Sequence, residues 1–284
     1  MFHVEPNRIK RIAQPKDHLV SNETFDICLD FNTQIAKTLP RPPLNELSKY
    51  YATDKYISHQ NKRISLFQKL YGLVQRVMFF KKKSWISPFL ADDKSYLDFG
   101  CGTGALVEYL QNEGWKAYGV EPNEKARKVL SNDQIVGTTA ELTEQEFNTI
   151  GLWHVLEHLP DPEKTINDLL ERLSKDGKLL IAVPNFKSWD ANHYKSYWAA
   201  YDVPRHLWHF SSDGLESFGK SLDLTIVEKR GLFFDAFYVS YLSEKHKKTF
   251  FPLLMGCLKG LYSNIRAFFN GEYSSLLIIF KKKT

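Results

Sequence analysis

The stretch YLDFGCGTG, Tyr96 to Gly104, constrains this chain more than any other. The apolar residues of a buried strand run straight into three glycines at two-residue spacing. The following TGALVEYLQNEG then places Ala105, Leu106, Tyr109 and Leu110 on one helical face. Glycines in such a turn permit positive φ and let a ligand approach the backbone. The next apolar run, KAYGVEP, ends in an acid, Glu121. A strand, a glycine turn, a helix and a second strand make one βαβ unit.

The alternation continues along the chain. Strands are expected at about 95–100, 116–121, 134–138, 147–153, 177–184, 223–230 and 274–282. PEKTINDLLERL puts Ile166, Leu169, Leu170 and Leu173 on one face. Asp161 caps its start, Pro162 lies in its first turn, and Gly177 lies past its end. NEKARKVL repeats the pattern with Asn123 as cap and Ala126, Val129 and Leu130 inward. Repeated βα units predict an α/β fold, a mostly parallel sheet with helices on both faces. A mostly helical insertion, about 231–270, separates the last two strands. The start reads differently, with a Pro-rich connector, TLPRPPLNEL, followed by helical, aromatic sequence. The expected organisation is an N-terminal arm or cap over 1–90 and a main domain over 91–284.

The glycine turn and Glu121 together point to an adenosine-containing ligand, because a carboxylate at that strand end can accept both ribose hydroxyls. Gly100, Gly102 and Ala105 also satisfy a dinucleotide fingerprint. Asp98 argues against it. A carboxylate there repels a pyrophosphate and attracts a ligand bearing an ammonium and a sulfonium, as S-adenosylmethionine does.

YLDFGCGTG, YGVEPNEKA, GLWHVLEHLPDP and GKLLIAVPN stand in the order and spacing of class I S-adenosylmethionine-dependent methyltransferases, which the chain resembles over about 95–230. VLEHLPDP is most similar to methyltransferases of ubiquinone synthesis and of sugar or lipid modification. The resemblance implies a Rossmann-like, seven-stranded sheet whose last strand, GEYSSLLIIFKKK, is antiparallel. It implies that Asp98, Gly100, Cys101, Gly102 and Gly104 line the methionine end and the loop beneath it, and that Glu121 binds ribose. Pro122 and Asn123 would lie beside the adenine. Thr139, Ala140 and Glu141 are candidates for its amine, and His154 would face cofactor and substrate.

Three clusters leave alternatives open. His154, Glu157 and His158, at i, i+3 and i+4, could share a helical face and hold a divalent metal, as in some ubiquinone-type and RNA-end methyltransferases. The expectation is instead that Glu157 and His158 brace the loop under the cofactor and that no metal binds, with His154 a catalytic candidate. In YDVPRHLWHFS, His206 and His209 are candidate bases, since a similar run in sugar C-methyltransferases has its His in the active site; otherwise they tie down a loop. The N-terminal segment resembles a zinc ribbon reduced to one thiol, Cys28, so it is expected to hold no metal. Tyr50, Tyr51, Tyr56 and His59 either face the cleft or pack.

Composition narrows the partners. A 43% hydrophobic content fits a globular chain, and a net charge of +5 without a basic stripe gives no reason to expect nucleic acid. Three scattered cysteines, and a start without an apolar signal core, point to the cytoplasm. FFPLLMGCLKGLY is too short to span a membrane. The expected activity is methyl transfer from S-adenosylmethionine to a small or lipid-linked acceptor, at oxygen, with C-methylation of a sugar as the nearest variant. A non-catalytic binding module is the alternative from another class. Arg205 and Lys195 could meet phosphates, and Lys245, Lys247, Lys248 and Lys259 could make weak contact with an anionic membrane surface.

Overall fold

The computed structural model describes residues 9–51, 66–90, 94–129, 132–144 and 146–283. Three short strands open it: β1 (Ile9–Ala13), β2 (Asp26–Asp30) and β3 (Ile35–Leu39), paired antiparallel in that order. Phe25, Ile27, Leu29 and Ala36 of this ribbon are buried against Trp198, Tyr201 and Val203. The ribbon therefore shares a core with the main domain. A helix, α1 (Leu66–Ile86), leads to the sheet. Tyr56 and His59 lie outside the described residues.

The main sheet holds β4 (Ser95–Phe99), β5 (Lys116–Val120), β6 (Ile135–Val136), β7 (Phe147–Trp153) and β8 (Leu173–Pro184). Trp208–His209 forms β9, which pairs with β3 and belongs to the ribbon. β10 (Leu224–Gly231) and β11 (Ser275–Lys282) complete the main sheet in the order β10-β11-β8-β7-β4-β5-β6. β11 runs antiparallel to both neighbours, and the other described pairings are parallel. The buried runs in β4, β7, β8 and β11 follow from helices covering both faces.

Helices α2 (Ala105–Asn112), α3 (Pro162–Glu171) and α4 (Ser212–Ser221) follow β4, β7 and β9. Asp161 caps α3 by accepting the N–H of Lys164, and Ile166 and Leu169 are its buried anchors. Two details depart from the sequence pattern. Gly177 lies inside β8, because the chain turns directly from the helix into the strand. The helix after Asn123 spans only Glu124–Arg127, and Val129 is exposed; Leu130 lies outside the described residues. The insertion forms a hairpin of α5 (Asp235–His246) and α6 (Pro252–Asn270).

Candidate active site

The glycine turn sits at the carboxyl end of β4, between β5 and β7. Gly100, Gly102 and Gly104 have φ of 75°, 57° and 80°, a region that L side chains rarely adopt. A Cβ on Gly100 would meet Val155 at 2.5 Å, and one on Gly104 would collide with Ile135. The amides of Gly100 and Cys101 both donate to the Val120 carbonyl, at 2.7 and 3.1 Å. Gly104 donates to Cys101, and Gly102 donates to the Glu121 carboxylate at 3.0 Å. These four donors are spent within the protein, so the turn is poorly equipped to cradle a pyrophosphate.

Glu121 also accepts the N–H of Asn123 at 2.8 Å, and Asn123 in turn caps its own short helix through Lys125. Pro122 is exposed beside them. Thr139 and Ala140 form a 3-10 turn with Glu141. Asp98 is buried and accepts a hydrogen bond from the Tyr96 hydroxyl, which accepts one from the Trp153 indole. Gly151 makes this relay fit, since a Cβ there would strike the Tyr96 hydroxyl. Burial pushes the Asp98 pKa up to about 6; the Lys82 ammonium opposes the shift and Glu121 adds to it. A carboxylate in that condition gains from a bound cation.

Beyond the end of β7, beside His154 and Glu157, lies a cavity of about 650 Å³. Its walls come from the ribbon (Lys16, His18), the end of β7 (His154, Glu157), the 196–206 loop and α5. His154 has a φ of 58° and lies between two acids: its Nε2 is 3.0 Å from Asp235 and its Nδ1 3.5 Å from Glu157. Burial disfavours its charge, but Asp235 and Glu157 outweigh that and push its pKa up. An imidazolium held in this way is a poor proton acceptor. His206 is the reverse case. Burial, with His158 adding, pushes its pKa down to about 4. Its Nδ1 lies 2.9 Å from the Ala200 carbonyl, which leaves Nε2 as the lone-pair nitrogen.

Two candidates take other roles. His209 does not line the cavity; its Nε2 donates to Thr38 of the ribbon at 2.9 Å, so it fastens β9 rather than facing an acceptor. Arg205 is not available to a phosphate. Its guanidinium donates to Asp202, to Asp17 and to the Tyr50 carbonyl, and it is buried. Of the tyrosines, the Tyr50 hydroxyl donates to Glu23, whereas Tyr51 reaches His158 at 3.2 Å. Asp235 and Asp17 escaped the sequence reading, because an isolated acid in an insertion or a turn carries no periodic signal.

The family profile described as "Methyltransferase domain" matches residues 71–229, more than half of the chain. The chain belongs to the class I S-adenosylmethionine-dependent methyltransferases. Two ubiquinone biosynthesis O-methyltransferases, from Idiomarina loihiensis and Yersinia enterocolitica, are each 31% identical to this methyltransferase. Each match covers 34% of this chain, and 45% and 46% of those proteins, less than half their length. The fold is shared with geranyl diphosphate C-methyltransferase from Streptomyces coelicolor (TM-score 0.51, 12% identity, 78% of this chain and 87% of that one). It is also shared with a chain of the complex between the Haloferax volcanii Trm112 methyltransferase activator and a methyltransferase (TM-score 0.52, 14% identity, 75% and 93%).

In this methyltransferase the cluster read as His154, Glu157 and His158 is assembled differently. Leu156–His158 is a 3-10 turn, so His154 turns toward Asp235 and His206 takes its place. Glu157, His158 and His206 each present a ligand atom within 4.8 Å of the others. Glu157 is 1% exposed, and neither carboxylate oxygen has a hydrogen-bond partner; His154 lies 3.5 Å from one of them. The His158 Nδ1 lies 3.1 Å from the Arg205 carbonyl, an arrangement that orients a metal-binding imidazole. The donor set of Glu157, His158 and His206 would fit a divalent cation, the alternative to bracing the loop. Elemental analysis decides between the two roles: one equivalent of metal per purified chain, lost in Glu157→Gln, would assign the cluster to a cation. Metal-free protein after growth in zinc- and manganese-supplemented medium would leave Glu157 in a bracing role.

Proposed function

We propose that the chain transfers the methyl group of S-adenosylmethionine to a hydroxyl of a small or amphiphilic acceptor bound in the cavity beside His206. The observation that carries this reading is the placement of the cavity. It opens at the carboxyl end of β7, one residue from the Val155 that packs on Gly100. On this reading Asp98 and the glycine turn hold the methionine end and Glu121 the ribose. Thr139 and Ala140 lie toward the adenine with Pro122 and Asn123.

The acceptor oxygen attacks the methyl carbon, and the C–S electron pair stays on sulfur. With no cation on the cluster, the acceptor proton passes to the Nε2 of His206. His154, paired with Asp235 and Glu157, holds the cavity wall in place. A divalent cation held by Glu157, His158 and His206 would supply Lewis acidity toward the acceptor oxygen in place of that base. Most of the rate comes from alignment of the two reactants.

The test is transfer of labelled methyl from S-adenosylmethionine into a lipid-containing cell extract, followed by hydroiodic acid. Release of labelled methyl iodide is expected for an O-methyl product. Label retained on carbon would favour C-methylation. Cofactor binding without any transfer would favour a non-catalytic binding module. The engagement of Arg205 weighs against a sugar nucleotide whose phosphates that residue would hold.

A further inference from the structure

We propose that the α5–α6 hairpin docks on a bilayer surface carrying anionic headgroups. Helix α6 is arranged inside out for a helix on a soluble domain. Its buried face is small: Gly256, Gly260, Ser263, Asn264 and Ala267. A Cβ on Gly256 would lie 2.5 Å from the Tyr241 backbone, and one on Gly260 2.8 Å from that of Phe237. The two helices therefore touch backbone to backbone, a packing that suits small residues at four-residue spacing. The large apolar residues point outward. Leu254, Leu258, Leu261 and Ile265 are exposed along the helix. Phe250, 94% exposed, precedes it, and Phe268 and Phe269, 77% and 81% exposed, end it. No helix among the described residues is long and apolar enough to cross a membrane. A helix of this kind lies in the interface.

Charge identifies the partner. The exposed charges over 235–270 are Lys245, Lys247, Lys248 and Arg266. The two carboxylates of that stretch are engaged: Asp235 with His154, and the buried Glu244 with Lys259. Lys259 is therefore a strut inside the hairpin and not a headgroup contact. A second copy meeting this face about a two-fold axis would bring the same cations together, which opposes pairing. Anionic lipid meets them favourably. The hairpin also borders the acceptor cavity, since Tyr238, 61% exposed on α5, lines that cavity with Leu242. Docking does not require the methyltransferase reading, but it would bring an amphiphilic acceptor to the cavity mouth.

Cosedimentation of the full chain with phosphatidylglycerol–phosphatidylcholine vesicles tests this at low and high salt. Binding is expected at low salt, reduced about tenfold or more at high salt and nearly absent with phosphatidylcholine alone. Each lysine near the surface is worth about fivefold in binding, so Lys247→Gln with Lys248→Gln should weaken it by about 25-fold. Leu258→Gln with Ile265→Gln should weaken it by at least about tenfold. Both variants should keep their S-adenosylmethionine affinity by calorimetry, which separates loss of docking from loss of fold or of cofactor binding. No binding at low salt, or equal binding to neutral vesicles, would overturn the proposal. So would a dimer by light scattering that Leu258→Gln dissociates.

Discussion

Replacing Arg205 with methionine is expected to destabilise the chain by about 3–5 kcal/mol, the loss typical of a buried ion pair deprived of one partner. Arg205 and Asp17 are 1% and 0% exposed, and their atoms are 3.0 Å apart. The same guanidinium holds Asp202 at 2.7 Å and the Tyr50 carbonyl at 3.0 Å. It thus ties the ribbon to the 196–206 loop. Methionine matches the length but leaves Asp17 buried with only the amides of Leu19, Val20 and Ser21 as partners, and with the Ser21 hydroxyl.

Urea unfolding measures the loss, and a cost below about 1 kcal/mol would mean that the ribbon is held by its apolar contacts alone. The pH dependence has a definite sign. Burial raises the Asp17 pKa, but the Ser21 amide and Arg205 outweigh it, and the folded value lies below 3.8. Asp202 is also lowered, by His206 and Arg205 against burial. The stabilisation is therefore full above about pH 3.8 and is lost as the pH falls through the lowered folded values. The gap between wild type and Arg205→Met should narrow only in that acid range.

Asp98→Asn and Glu121→Ala are expected to weaken S-adenosylmethionine binding without unfolding the chain. Each removes a charge-assisted interaction worth about 1.5–3 kcal/mol, or about 10- to 150-fold in affinity. The two should differ in pH dependence. With its pKa near 6 in the free protein, Asp98 carries a proton in mild acid that a cationic ligand must displace. Affinity for the wild type should then fall about tenfold per pH unit below 6. The asparagine variant should show no such slope. Calorimetry giving wild-type affinity for Glu121→Ala would remove it from the ribose site. A slope surviving in Asp98→Asn would assign the titration to another group.

The seven main strands and the glycine turn were legible in the sequence because their signals are local. A strand buried on both faces reads as a run of apolar residues, and a positive-φ turn demands glycine at each position. Asp98 and Glu121 were legible for the same reason, since they sit at fixed offsets from those strands. Roles set by distant partners were not. His154, Glu157 and His158 have helical spacing, yet the chain forms a 3-10 turn there, and Asp235 draws His154 away. His209 and Arg205 looked like acceptor contacts until the ribbon supplied Thr38 and Asp17.

The sequence by itself determined the α/β fold, the family and the position of the glycine turn, all consequences of periodicity and of backbone sterics within a few residues. The tertiary structure decided which ionisable groups meet. Arg205 and Asp17 lie 188 positions apart. Neither residue carries a local mark of the other, because a buried charge is defined by what surrounds it in space and not by its neighbours along the chain.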